Sequence, residues 1–146
     1  MQLSGNTILI TGGGSGIGRG LAESLLKLGN QVIIAGRRQD VLDNTTKANP
    51  GMVSMNFDIS DPNAIQALAA RVTAEHPTLN VLINNAGIMK IENFQALPAG
   101  LADSEAVITT NLLGPIRLTA ALLPHLQNQP HAAIINVSSG LGFVPL

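Results

Sequence analysis

The sequence has no cysteine, no tyrosine and no tryptophan, and its aromatic residues are Phe57, Phe94 and Phe143. Without cysteine there is no disulfide framework and no thiolate chemistry, and a reducing cytoplasm is the expected compartment. Without tyrosine, no phenolic hydroxyl can act as a proton donor or acceptor. Charge is sparse too: 12% of the 146 residues are charged, and the net charge is −1. That balance offers no electrostatic basis for binding nucleic acid or an anionic membrane. The polar opening, residues 1–5, leads into a strand and is unlike a secretory leader. No apolar run is expected to reach membrane-spanning length, and no repeat or low-complexity tract occurs. What is there is a chain that is 45% hydrophobic, long enough for one domain and suited to a sheet covered on both faces.

The chain is organised around Thr11-Gly12-Gly13-Gly14-Ser15-Gly16-Ile17-Gly18. The β-branched, apolar run Thr7-Ile8-Leu9-Ile10 before it predicts a buried strand, and Ile17, Leu21, Leu25 and Leu28 after it recur at helical spacing. A strand, a glycine loop and a helix together place an anion at a helix N-terminus. The first N–H groups there lack internal partners, and the dipole is positive. The glycines do not fit the common G-x-G-x-x-G fingerprint; Gly12, Gly16 and Gly18 form T-G-x-x-x-G-x-G. A glycine-rich turn would satisfy this pattern by itself, so the rest of the chain decides.

Further strands are predicted at residues 31–35, 52–57, 79–83 and 132–137. Helices are predicted at 40–47, from Pro62 to His76, and over about 103–127, with a loop over 89–100. Asp61-Pro62 is a helix start, with Asp at the cap and Pro in the first turn. Alternating strands and helices imply a doubly wound parallel α/β sheet of the Rossmann type, in strand order 3-2-1-4-5 and cut after strand 5. Ligands of such sheets sit beyond the carboxyl ends of the strands. The polar clusters Gly12–Gly18, Gly36–Arg38, Asp58, Asn84–Gly87 and Ser138–Ser139 all fall at those ends.

After the second strand, where NAD-binding folds usually carry an acid for the ribose 2′-hydroxyl, stand Gly36, Arg37 and Arg38. No carboxylate is there to repel a 2′-phosphate, and two guanidinium forks are there to hold one. NADP(H) is therefore favoured over NAD(H), and S-adenosylmethionine, which also wants that acid, is disfavoured. Two solvated arginines at a helix start are the plainer alternative. Asp58 could accept from an adenine amino group or close a turn.

At this point the residues resemble a family. Thr11-Gly12-x-x-x-Gly16-x-Gly18, Asp58, Asn84-Asn85-Ala86-Gly87, Asn111 and Val137-Ser138-Ser139 are similar, in order, to the motifs of the short-chain dehydrogenase/reductases. Residues 1–38 look most like its DltE-type oxidoreductases. The resemblance implies hydride transfer between NADP(H) or NAD(H) and a small-molecule alcohol or carbonyl. It implies Ser139 as the group that bonds the substrate oxygen and Asn111 as the one that positions a water. Pro115 supports Asn111, because it has no N–H to give the carbonyl four residues back. That carbonyl should be left for a water and the helix kinked, although Gly114-Pro115 could also break the helix in two. Pattern and resemblance together assign cofactor contacts to Gly12, Gly14, Ser15, Gly16, Ile17, Gly18, Arg37, Arg38, Asp58, Ile59, Asn85, Ala86 and Gly87, and no metal site.

The chain departs from the family in one respect. The family's Tyr-x-x-x-Lys follows the serine at short range; here the sequence ends seven residues beyond Ser139 and holds no tyrosine. Lys27, Lys47 and Lys90 are not placed to replace the lysine, and His76, His125 and His131 read as surface residues. Three expectations follow: a nearly inactive chain, a last strand left as an open sheet edge, and a homo-oligomer formed through that side. The alternative is a non-catalytic dinucleotide-binding or regulatory module.

Overall fold

The computed structural model describes residues 2–90 and 101–140. The predicted loop over 89–100 therefore lies largely outside the described residues. Five strands, β1 (Thr7–Thr11), β2 (Gln31–Gly36), β3 (Val53–Asn56), β4 (Leu79–Asn84) and β5 (Ala133–Asn136), form one parallel sheet in the order β3-β2-β1-β4-β5. The helices are α1 (Gly16–Lys27), α2 (Gln39–Ala48), α3 (Pro62–Glu75), α4 (Ala102–Ile108) and α5 (Gly114–Leu126). This is the predicted fold class and strand order.

Every residue of β1 and β4 is buried, because parallel strands in the middle of a sheet face helices on both sides. Alternate residues feed two cores. Leu9, Ile33 and Leu82 pack with Ile65, Leu68 and Val72 of α3 and Leu118, Leu122 and Leu126 of α5. On the other face, Ile8, Ile10, Val32 and Ile34 pack with Ala22 of α1 and Leu42 of α2. As predicted, Asp61 caps α3, accepting from Asn63 N at 2.8 Å, with Pro62 in the first turn.

The end of the sheet away from the loops is cross-linked by buried amides. Asn6 donates to Asn30 Oδ1 from its side chain at 2.7 Å and from its backbone at 3.0 Å, and Asn80 Nδ2 donates to Asn6 Oδ1 at 3.2 Å. The β1–β4 register slips between Thr7 and Ile8, and Asn80 Oδ1 takes the Thr7 N–H at 3.0 Å.

Several expectations need correction. β3 and β5 are shorter than predicted, as is usual for strands with one paired edge. The residues 102–126 run as one helix of 25 residues, long and apolar enough by length and composition to cross a membrane. That overturns the expectation that no apolar run would reach such a length; one face of the helix, through Leu118, Leu122 and Leu126, lies in the core. Gly114-Pro115 does not break this helix. The chain widens into a π-helical turn, Thr109–Leu113, and the Gly114 N–H reaches back to the Thr109 carbonyl. A proline that cannot serve the Asn111 carbonyl is accommodated by one extra residue in the turn. His76 and His125 are half-buried, not surface residues, and the Nε2 of His125 lies 3.1 Å from the Leu79 carbonyl.

Candidate nucleotide and active-site cleft

The glycine loop lies flat against the end of β4. Gly12 has a φ of +68°, and a Cβ there would stand 2.9 Å from Ala86 Cα. At Gly18 a Cβ would collide with the Gly12 carbonyl and the Asn85 amide. Thr11 and Asn85 hold this junction together. Thr11 Oγ1 accepts from the Asn85 and Ala86 backbone N–H groups, both at 3.0 Å, and Asn85 Nδ2 donates to the Thr11 carbonyl at 3.0 Å. Sequence reasoning quoted Thr11 within the motif and did not see this role.

Ser15 occupies the N-cap of α1 in extended backbone (φ −154°, ψ 168°), but its hydroxyl caps nothing. It accepts instead from Arg38 Nη2 at 3.0 Å. The first N–H groups of α1 are thus left for solvent or an anion. Beside them opens a cavity of about 330 Å³ that gathers Gly12, Gly14, Ser15, Ile17, Arg37, Arg38, Ile59, Asn85, Ala86 and Gly87. Gly36, noted in the sequence beside the arginines, lines it as well, as do Phe57 and Thr110, which the sequence does not single out as site residues. Gly16 and Gly18 shape the loop without lining that space.

Asp58 also stands back from the lining. Its Oδ1 accepts from Ser60 N at 2.8 Å and Ser60 Oγ at 2.7 Å, which is a turn-closing geometry. Partial burial raises this carboxyl, but the two Ser60 bonds and the Arg37 charge outweigh it and hold the group below its ordinary range.

A second cavity, about 860 Å³, shares Ile17, Asn85, Ala86 and Gly87 with the first and continues to Asn111 and Ser139. Here Asn84 Nδ2 donates to Asn136 Oδ1 at 2.9 Å and to Thr119 Oγ1 at 3.2 Å, tying β4 to β5 and α5. The Asn111 amide bonds the Ile88 backbone: it accepts from the N–H at 2.9 Å and donates to the carbonyl at 2.8 Å. Gly114 lets α5 close on Ile59; a Cβ there would come within 2.6 Å of Ile59 Cγ1. Past Ile88, Lys90 Nζ pairs with Asp103 at the start of α4.

An elongated cleft at the carboxyl ends of the strands, running from an uncapped helix N-terminus to an Asn–Ser pair, has the shape and donors for a dinucleotide. Residues 6–146 match the family described as short chain dehydrogenase. The chain belongs to the short-chain dehydrogenase family. Among its relatives, the uncharacterized oxidoreductase DltE of Bacillus subtilis is 43% identical over 146 residues, 100% of this chain and 58% of that protein. An NADP-dependent 3-hydroxy acid dehydrogenase of Schizosaccharomyces pombe is 32% identical over 147 residues, 97% of this chain and 56% of that one. A solved short-chain dehydrogenase from Streptomyces avermitilis superposes with a TM-score of 0.84 at 33% identity, covering 95% of this chain and 50% of its own. The short-chain dehydrogenase fold seen here thus spans between 50% and 58% of the length of these three relatives.

Proposed function

We propose that this chain is the cofactor-binding part of an oxidoreductase that moves a hydride between NADP(H) and a small-molecule alcohol or carbonyl, in the cytoplasm. The observation that carries the cofactor reading is the pair Arg37–Arg38, directly after β2, lining one cavity with Gly14 and Ser15. The relative from Schizosaccharomyces pombe, named as NADP-dependent, supports it. The residues fit the group: the glycines keep side chains out of the cradle, α1 offers uncapped N–H groups, and the arginines offer paired donors to a 2′-phosphate. When bound, the nicotinamide supplies the hydride or accepts it.

The remaining roles belong to the chain. Asn85, Ala86 and Gly87 bound the passage from the first cavity to the second. Asn111 and Ser139 face the second cavity, where Ser139 would bond the substrate oxygen and Asn111 would position a water. With no tyrosine in the sequence, the chain itself should be slower by about 10² to 10⁴ than one with the general acid.

The test is calorimetric titration of the 146-residue protein with NADPH and NADH in parallel. The reading expects clear NADPH binding and weak NADH binding; equal affinities, or no binding of either, would overturn it for this chain.

A further inference from the structure

We infer that Thr45 is a positioning residue whose hydroxyl fixes the Gly14–Ser15 peptide and so aims the Ser15 N–H that an anionic ligand would use. Thr45 is fully buried on α2 and is not among the residues assigned to the cleft by sequence. Its single hydroxyl proton is shared between the Val41 carbonyl of its own helix, 2.9 Å from Oγ1, and the Gly14 carbonyl in the glycine loop, 3.1 Å away. The first contact is the ordinary back-bond of a helical threonine. The second is not local: it spans 31 residues and ends on the loop at the helix N-terminus.

The peptide geometry gives that bond its consequence. The chain has no cis peptide among the described residues, so the Gly14 carbonyl and the Ser15 N–H are antiparallel across one rigid plane. A carbonyl held toward α2 turns the N–H the opposite way. Gly14 also packs on this helix; a Cβ there would stand 3.1 Å from Val41 Cγ1. Two further rungs flank the bond, Arg38 to Ser15 Oγ at 3.0 Å and Asn49 Nδ2 to Glu23 Oε1 of α1 at 3.2 Å. The helix that follows the arginine pair is thereby bolted to the glycine loop, so the two anion-facing groups are held as one body.

The claim about the loop does not need a nucleotide; its consequence for affinity rests on the function proposed above. The variants are Thr45→Val, which keeps the shape and removes the hydroxyl, and Thr45→Ser, which keeps it. Backbone amide order parameters of Ser15 and Gly16 should fall from a rigid value of about 0.85 toward about 0.6 in Thr45→Val and return in Thr45→Ser. Unchanged order parameters in Thr45→Val, with the fold intact by circular dichroism, overturn the inference. In titrations, Thr45→Val should weaken NADPH and NADH alike, by about tenfold, whereas Arg37→Ala should weaken NADPH alone. A selective loss of NADPH in Thr45→Val would also overturn it. A wild-type chain that binds neither nucleotide would overturn the functional reading, while the order parameters still decide the role of Thr45.

Discussion

The Asn111 side chain and the Ile88 backbone bond each other in both directions, at 2.9 and 2.8 Å. One amide thus serves as both acceptor and donor for a single residue 23 positions away, through two separate atoms. Asn111→Asp should keep the bond from the Ile88 N–H and lose the other; Asn111→Ala should lose both. The site is exposed, so each bond is worth about 1 kcal/mol or less. Thermal unfolding should rank the variants wild type, then Asp, then Ala, in steps of about 2–4 °C. An Asp variant as stable as wild type at neutral pH would contradict the two-way bond.

Arg37 tests the choice of cofactor. Arg37→Ala should weaken NADPH by about tenfold or more, the usual worth of a hydrogen bond to a charged group, and barely change NADH. Equal losses for both nucleotides would sink the 2′-phosphate assignment.

Two glycines of α1 should respond with opposite signs. Gly18→Ala places a methyl against the Gly12 carbonyl and should destabilise by about 1–3 kcal/mol. Gly20→Ala meets nothing within 4 Å inside a helix and should stabilise by about 0.5–1 kcal/mol. Denaturant unfolding of both variants settles the pair, and a stabilised Gly18→Ala would refute the close packing of the loop on β4.

Asp58 makes stability depend on pH. Its folded pKa is depressed, so its contribution is present above the ordinary carboxylate value of about 4 and is lost as pH falls through the folded value. Asp58→Asn should therefore be less stable than wild type near pH 6, and the gap should close in acid. A gap that stays constant from about pH 6 to about pH 3 would show that the Ser60 bonds do not favour the charged form.

The open side of the molecule predicts self-association. Leu112 and Ile116 are each 55% exposed, and Ile135 on β5 is 39% exposed. These exposed apolar side chains, beside a strand edge that is unpaired among the described residues, favour contact between chains. Sedimentation should show a mass that rises with concentration and falls back in Ile116→Lys. A wild type that stays monomeric at high concentration would defeat this expectation.

Much of this architecture is legible in the sequence because the central strands are buried on both faces and so read as unbroken apolar runs. The Asp61-Pro62 cap and the polar clusters at the strand ends are equally local signals. What escapes is set by partners far along the chain. Thr45 reads as an ordinary helical threonine until Gly14 is placed beside it, and His125 reads as surface until Leu79 is. Gly114-Pro115 reads as a kink, or else a break, because its pattern cannot show that a wider turn will absorb the proline. Asp58 was read two ways, and the bonds from Ser60 supply the turn.

The amide lattice of Asn6, Asn30 and Asn80 has a mechanical consequence. It fastens one end of the sheet with short, buried bonds, while the opposite end finishes in loops that border two cavities. Heat should therefore unzip the molecule from the cleft inward, with the asparagine end parting last. A ligand seated across the strand tips would brace the weaker end, so occupancy would register as resistance to fraying before any chemistry takes place.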